Sequence, residues 1–288
     1  MPATTRKRSQ AKARPAQKKK AAGKKPMSAR ADRYALYQRS VQDPEADIEF
    51  MVDTFKRHFK RAPRLLREDF CAAAHTACTW VTQHRENRAW GVDLDPEPLA
   101  WGRAHNVSRL TPSQSARLVL QQQNVLDPHQ EKVDIVAAQN FSYFVFKTRP
   151  ELRAYFQRAR EGLREQGLMV LDVFGGPESQ TAMREETTYR GFSYVWDQHR
   201  YDPIQNEIEC HIDFKFPDGS RLRRAFSYDW RLWTIREVRE LLEEAGFSRT
   251  EAYWEGTDEE THEGNGEFTL TERVENERAW IAYVVGVR

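Results

Sequence analysis

Long apolar runs, cysteines and internal repeats are scarce in this sequence, and each absence excludes a class of protein. No apolar run approaches the roughly 18 residues that a membrane-spanning helix needs. The N-terminus also lacks the apolar stretch of a secretory signal. The three cysteines, Cys71, Cys78 and Cys210, have no CxxC spacing, which fits a reducing compartment and gives no zinc signature. We therefore expect a soluble, cytoplasmic protein without a metal site.

Acidic residues are missing from the first thirty positions, which carry a charge of +11 although the whole chain has a net charge of only +2. This segment is rich in Ala and Gln and has little apolar surface to bury, so we predict a disordered basic tail over residues 1–32. Such a tail would attract phosphates. Two interpretations stay open: a solubilising extension, or a segment that binds nucleic acid or directs nuclear or nucleoid association.

Strand-like and helix-like segments alternate through residues 33–288, which we predict to be one domain. Apolar residues recur at helical spacing from Ile48 and again from Leu152 through Leu163, and short apolar runs typical of buried strands lie between such segments. Repeated strand and helix units of this kind favour a parallel, doubly wound α/β sheet with helices on both faces. The predicted parallel strands lie at residues 65–66, 89–92, 118–120, 133–136 and 168–173.

An antiparallel insertion is predicted at about residues 180–230. From Ile208 to Phe216 every second residue is apolar, a turn follows at residues 217–219, and residues 220–228 run back. This alternation around a Pro-Asp-Gly turn is typical of a β-hairpin. The elements predicted after it are a helix with a capping box formed by Thr234 and Glu237, and a last strand over residues 280–287.

Polar side chains follow three of the predicted parallel strands at the point where each strand ends. An acid, either Glu68 or Asp69, ends the first strand, Asp93 ends the second, and Asn124 follows the third. In an open α/β sheet the ligand binds at the carboxyl ends of the strands, where the strand order reverses, so these side chains mark the expected site. Asp93 could accept hydrogen bonds from both hydroxyls of a ribose, and Asn124 could bind an adenine amino group. The sequence therefore predicts a nucleotide pocket.

With these strand ends the sequence resembles the class I S-adenosylmethionine-dependent methyltransferases over about residues 33–288. The resemblance implies a Rossmann-like, mostly parallel, seven-stranded sheet with the antiparallel hairpin insertion before the last strands. It also implies S-adenosylmethionine as the cofactor and methyl transfer as the reaction. The matching motifs are LLREDFC at 65–71, GVDLDP at 91–96, NVLD at 124–127, and VDIV at 133–136 followed by Gln139 and Asn140.

The resemblance implies roles for three sets of residues. The cofactor-binding set is Tyr37, Glu68, Cys71, Ala72, Asp93, Leu94, Asn124, Val125 and Gln139. The acceptor-facing pair, which we take as the candidate catalytic residues, is Asn140 and Tyr143. Large aromatic rings of the insertion could form a wall for the substrate, with core packing as the alternative. These rings are Trp196, Tyr228, Trp230 and Trp233.

The first motif departs from the family pattern in its glycines. Aligning Glu68 with the family's acid puts Phe70, Ala72 and Ala74 at the three glycine positions. Glycine adopts positive φ without a steric penalty. Ala72 and Ala74 could therefore be accommodated if these positions have ordinary φ angles, whereas the Phe70 side chain must point away from the cofactor. Asn124 stands where an acid is usual and still offers a carbonyl acceptor.

Three functional hypotheses follow. The first is methylation of a small molecule, favoured by the motifs and the compact insertion. The second is a nucleic-acid methylase recruited by the basic tail, and the third is a catalytically degenerate binding scaffold, suggested by the glycine-poor loop. Methyl transfer needs little acid–base catalysis by the protein, because the sulfonium of the cofactor already activates the methyl group. The protein mainly has to align the acceptor with this methyl group.

Overall fold

A computed structural model describes residues 25–258, 260 and 264–288. The predicted basic tail lies largely outside these described residues, so its role stays a prediction. The backbone N–H of Met27 donates to the Asp218 carboxylate (2.7 Å), and the N–H of Ser28 donates to Ser220 Oγ (3.0 Å). The folded domain therefore begins before residue 33, where the sequence placed its start.

The described residues include seven α-helices. None of the described helices is both long and apolar enough to cross a membrane. The helices are α1 (Arg33–Ser40), α2 (Pro44–Phe59), α3 (His75–Gln83), α4 (Pro96–His105), α5 (Pro112–Ser115), α6 (Arg149–Gly162) and α7 (Ile235–Glu244).

Twelve strands of the described chain form two sheets. The strands of the central sheet are β1 (Leu65–Asp69), β2 (Arg88–Asp93), β3 (Leu118–Gln122), β4 (Val133–Ala138), β5 (Leu163–Gly175), β10 (Arg249–Thr257), β11 (Gly264–Leu270) and β12 (Trp280–Val287). The strands of the second sheet are β6 (Met183–Tyr189), β7 (Phe192–Asp202), β8 (Glu207–Lys215) and β9 (Arg221–Arg231).

The central sheet has the strand order β11-β10-β12-β5-β4-β1-β2-β3. Strands β3, β2, β1, β4 and β5 are parallel neighbours, whereas β12 runs antiparallel between β5 and β10. The predicted mostly parallel, doubly wound sheet is confirmed, and β11 adds an eighth strand at the edge. Strand order reverses between β1 and β4, so the carboxyl ends of these two strands flank the expected site.

The insertion is a separate antiparallel sheet in the order β6-β7-β8-β9. The predicted hairpin forms its β8 and β9 strands, and every second residue of β8 from Ile208 to Phe214 is buried. Strand β6 was not predicted because its sequence is polar and mostly exposed, which gives no apolar alternation. The insertion therefore has four strands, whereas the predicted hairpin has two.

Capping residues in the sequence correctly predicted where two of the helices begin. The Asp95 carboxylate caps α4 by accepting from the N–H of Glu97, and Thr234 and Glu237 form the capping box of α7. The helix predicted to extend to Leu163 is shorter, because α6 ends at Gly162 and Leu163 begins β5. Leu163 is buried in either assignment, so its hydrophobicity could not fix the boundary.

Alternate residues of β5 supply the two apolar cores on opposite faces of the central sheet. Leu168 and Val170 pack with α2 and α3, whereas Met169 and Leu171 pack with α6 and α7. Successive strand side chains point to opposite faces. Asp172 therefore lies on the α2 face, in line with Leu168 and Val170 and close to the carboxyl edge of the sheet.

Candidate cofactor and acceptor site

The loop after β1 has the backbone of a glycine-rich loop although it contains no glycine. The φ angles of Phe70, Ala72 and Ala74 are 56°, 45° and 56°, all in the left-handed region. Ala72 and Ala74 therefore do not meet the condition of ordinary φ under which the sequence would accommodate them. A side chain in this region costs roughly 1–2 kcal/mol per residue, because Cβ approaches the following carbonyl. Other interactions must hold the loop in this conformation.

Two carboxylates at strand ends hold this loop. Asp93 Oδ2 accepts from the N–H of Ala72 at 2.7 Å, and Glu68 Oε2 accepts from the N–H of Ala77 in the first turn of α3 at 2.8 Å. Burial raises the pKa of Glu68 to about 8, and burial also raises the pKa of Asp93. Glu68 therefore fixes the first turn of α3 behind the loop, whereas Asp93 is only half-buried and its Oδ1 accepts from the N–H of Asp95 at 2.9 Å.

The side chains that flank Glu68 turn toward α6 on the other face of the sheet. Asp69 binds the buried Arg67 guanidinium through two hydrogen bonds (2.8 and 2.9 Å) and accepts a third from the Tyr155 hydroxyl (2.9 Å). The Phe70 ring packs edge-on against Tyr155 and Phe146. Of the two acids left open by the sequence, Glu68 is the one that contacts the first turn of α3 after the loop, since Asp69 belongs to this buried network.

The predicted adenine-binding residues lie near the ends of β2 and β3. Leu94 directly follows Asp93 and is 66% exposed, which leaves an apolar surface beside the carboxylate. Val125 is buried, and Asn124 is exposed with its Oδ1 accepting from the N–H of Leu126 at 3.0 Å. An adenine amino group would share Oδ1 of Asn124 with that backbone donor.

The loop after β4 is a second strained segment. Asn140 and Phe141 have φ angles of 58° and 56°. Their backbone N–H groups both donate to the carboxylate of Asp172, at 2.6 and 2.8 Å. Burial raises the pKa of Asp172 to about 7. Sequence reasoning missed Asp172, and the available signal was a lone acid inside the otherwise apolar run 168–173.

Gln139 precedes this loop and is buried with an unsatisfied donor. Its Nε2 has no hydrogen-bond partner among the described residues. Buried polar groups in native proteins are nearly always paired, so an orphaned amide next to a strand end suits a ligand.

Two of the predicted site residues, Tyr143 and Trp233, lie in the core, which for Trp233 is the alternative that the sequence left open. Tyr143 is fully buried, and its hydroxyl donates to the carbonyl oxygen of Asp172 at 2.9 Å. Trp233 is only 2% exposed, and its Nε1 donates to the carbonyl oxygen of Phe146 at 3.0 Å. Each ring buries its apolar surface and satisfies its polar atom internally. Neither one is among the described residues that line the large cavity of the structure.

That cavity, of about 1240 Å³, lies between the carboxyl edge of the central sheet and the insertion. It brings together Asn140 and Tyr37 with the rings of Trp196, Tyr228 and Trp230. Three of the four predicted aromatic wall residues therefore line one space. The described lining does not include the Glu68, Asp93 and Asn124 group, which lies along the neighbouring ends of β1, β2 and β3. Since β4 lies between β1 and β5, Asn140 stands at the junction of the two regions.

Helix α1 contacts both the insertion and helix α4, which follows β2. Tyr37 shares a hydrogen bond with Tyr228 of β9, and burial raises the pKa of Tyr37 to about 12. At the start of α1, Asp32 accepts from Trp101 Nε1 of α4 at 2.7 Å. These contacts hold α1 against α4 at its start and against β9 at Tyr37.

The strand order and the position of this site define the fold of the class I S-adenosylmethionine-dependent methyltransferases, as the motifs predicted. Solved structures of such enzymes resemble the chain over most of their lengths. An S-adenosylmethionine-dependent methyltransferase from Clostridium acetobutylicum is 15% identical, with 88% of this chain and 97% of that chain covered and a TM-score of 0.64. CalS10, an amino pentose methyltransferase from Micromonospora echinaspora solved with bound S-adenosylmethionine, is 15% identical (87% and 95% covered, TM-score 0.60). KedS8, a sugar N-methyltransferase from Streptoalloteichus, is 18% identical (97% and 98% covered, TM-score 0.58).

At the level of sequence, no protein-family model and no curated protein matches the chain. The likeness is therefore one of fold. The ligand and the acceptor have to be argued from the residues of this site.

Proposed function

We propose that the protein is an S-adenosylmethionine-dependent methyltransferase that acts on a small molecule. The observation that carries the proposal is the left-handed backbone at Phe70, Ala72 and Ala74. Backbone strain of this kind persists only where the surroundings enforce it, and it concentrates at ligand sites. The loop has the left-handed backbone that glycine favours although it contains no glycine, which supports a loop that presents its backbone to a ligand at the end of β1.

The residues around this loop fit the cofactor. Asp93 would hold the ribose hydroxyls, Leu94 and Val125 would border the adenine, and the orphaned Nε2 of Gln139 would gain a partner. S-adenosylmethionine supplies a methyl group that its sulfonium activates for transfer. The protein has to bind this group, orient the acceptor and exclude water.

The charge of the site also fits a cationic cofactor. Burial raises the pKa of three carboxyls on the α2 face, Asp47 to about 6, Asp172 to about 7 and Glu68 to about 8. Mutual repulsion contributes, since Asp47 acts on both of the others. A sulfonium and an ammonium group near these carboxyls would favour their ionised forms.

The cavity of about 1240 Å³ is the proposed acceptor site, called the acceptor cavity below. Its volume suits a small molecule, and its walls include the rings of Trp196, Tyr228 and Trp230. Asn140 would orient the acceptor, because it lies where the acceptor cavity meets the cofactor region. Asp172 positions Asn140 through the two backbone hydrogen bonds. Tyr37 would cover the methionyl end of the cofactor.

Isothermal titration with S-adenosylmethionine tests this proposal. We expect saturable binding at one site, and a loss of at least ~10-fold in affinity for Asp93→Ala, because the ribose hydroxyls lose a charged acceptor. Asp53→Ala is the matched control, since Asp53 is an exposed residue of α2 whose pairing with Lys56 is worth little. Absence of binding to the wild-type protein at about 1 mM cofactor would refute the proposal.

A further inference from the structure

Carboxylates dominate the charged lining of the acceptor cavity. Among the described residues that line it, the only basic one is Arg278, whereas five are acidic. These acids are Glu178, Glu185, Glu186, Glu255 and Glu277.

Two of these carboxylates are already compensated. Glu178 forms an ion pair with Arg278, and Glu186 forms one with Lys215. Arg278 therefore already neutralises Glu178 and leaves the other lining carboxylates without a basic partner from the described lining. The remaining negative charge lies on Glu185, Glu255 and Glu277.

Glu255 and Glu277 are held by neutral donors. Glu255 Oε1 accepts from the N–H of Gly266 at 3.1 Å, while Glu277 accepts from Trp254 Nε1 at 3.3 Å and from Thr257 Oγ1 at 3.0 Å. In the described part of the chain neither carboxylate forms an ion pair. Partial burial raises the pKa of Glu255, and the nearby Glu277 raises it further. The two carboxylates therefore repel each other, and a cation placed near them would relieve the repulsion.

Aromatic rings complete the surroundings of this pair. Trp280 lines the cavity and packs against Trp254 at 4.8 Å between ring centroids. On the insertion side, Tyr228 and Trp230 stack at 4.3 Å and also face the cavity. The faces of such rings attract cations. A cavity with uncompensated carboxylates and aromatic walls favours a cation and disfavours an anion.

We propose that the acceptor is a small-molecule amine that enters this cavity as a cation and is methylated on nitrogen. This inference rests on the proposed function. The ammonium first releases a proton to the solvent, which frees the nitrogen lone pair. A new N–C bond then forms as the C–S bond breaks, so the sulfur becomes a neutral thioether and the positive charge passes to the methylated nitrogen.

Three probes of matched size test the charge preference: 2-phenylethylamine, 2-phenylethanol and 3-phenylpropanoate. Their binding is measured by ligand-observed NMR in the presence of saturating S-adenosylhomocysteine. We expect the amine to bind at least ~10-fold more tightly than the alcohol, and the carboxylate to bind most weakly. The double variant Glu255→Gln/Glu277→Gln should lose most of the amine preference and leave alcohol binding unchanged.

Glu165→Gln is the control, because Glu165 is an exposed residue of β5 remote from the carboxyl edge. The amine proposal is overturned if the three probes bind equally, if none of them binds, or if the double variant keeps the preference. Titration of the cofactor in the same samples separates the two proposals. Cofactor binding without an amine preference overturns only the amine proposal, whereas absence of cofactor binding overturns the proposed function itself.

Discussion

The Asp172 carboxylate accepts a hydrogen bond of 2.6 Å from the backbone N–H of Asn140 across the carboxyl edge of the sheet. A second bond, from the N–H of Phe141, makes Asp172 the common anchor of two consecutive left-handed residues. The loop after β4 is thus fixed by a side chain from the neighbouring strand β5.

Asp172→Asn should loosen the loop after β4, because an amide offers one acceptor oxygen to two backbone donors and buries an unpaired NH₂. Amide hydrogen exchange at Asn140 and Phe141 measures the change. The same variant should weaken acceptor turnover more than cofactor binding, since Asn140 loses its fixed position. Asp53→Asn on the exposed face of α2 is the control. Unchanged exchange protection of the Asn140 and Phe141 amides in Asp172→Asn would show that the loop is held by other contacts.

Glycine should be tolerated, and even favoured, at the strained positions of the first loop. Ala72→Gly and Ala74→Gly relieve a steric cost of roughly 1–2 kcal/mol and add roughly 0.5–1 kcal/mol of chain entropy to the unfolded state. We expect each variant to be as stable as the wild type or up to about 1 kcal/mol more stable. Thermal unfolding measures this.

Ala100→Gly is the comparison for these variants, because Ala100 is an exposed residue inside α4. There the same substitution should cost about 1 kcal/mol. If Ala72→Gly and Ala74→Gly are as destabilising as Ala100→Gly, the left-handed loop conformation is not present in solution.

We expect Asn140→Gly to lower activity and Tyr143→Phe to lower stability, because Asn140 lines the acceptor cavity whereas Tyr143 lies in the core. Asn140→Gly keeps the left-handed backbone and removes the side chain that faces the acceptor cavity, so kcat/KM for the acceptor should fall while cofactor affinity is kept. Tyr143→Phe removes one buried hydrogen bond and should cost about 1 kcal/mol of stability with little change in kcat. Steady-state kinetics on both variants checks this, and a large fall in kcat for Tyr143→Phe would restore a catalytic role to its hydroxyl.

The free energy of unfolding of the cofactor-free protein should fall as the pH rises from about 7 to about 8.5. The folded-state pKa values of Asp172, about 7, and Glu68, about 8, lie above the ordinary values of 3.8 and 4.5. In this range the unfolded chain has already released both protons, whereas the folded protein still binds part of them. Rising pH therefore favours unfolding.

Urea midpoints across that range test the pH prediction. Lower pH is avoided because burial lowers the pKa of His75 and His129, which gives the opposite slope below their ordinary value of 6.5. Asp172→Asn and Glu68→Gln should each flatten the slope. A midpoint that rises between these pH values would contradict the raised pKa values.

Much of the fold could be predicted from the sequence because the spacing of apolar residues and the residue types at the ends of helices and strands are local signals. The apolar run 168–173, the alternation in β8 and the capping pair of Thr234 and Glu237 each depend on residues close in the chain. The exposed strand β6 gave no such signal, and the eighth strand β11 is also mostly exposed.

The site was less predictable because its decisive features are not local. Asp172 acts on Asn140 across 32 positions of the chain, and nothing in the residue types reports that contact. The left-handed φ of Ala72 contradicts its intrinsic preference, because the fold imposes the conformation. Tyr143 and Trp233 follow strands at positions suited to a site, but whether an aromatic ring faces a cavity or the core depends on packing.

A crystal structure with bound S-adenosylmethionine tests the central claim most directly. The account predicts that the ribose hydroxyls contact the Asp93 carboxylate, that the adenine lies between Leu94 and Val125, and that the methyl group points past Asn140 into the acceptor cavity. A cofactor bound elsewhere on the protein, or a methyl group directed away from that cavity, would contradict it.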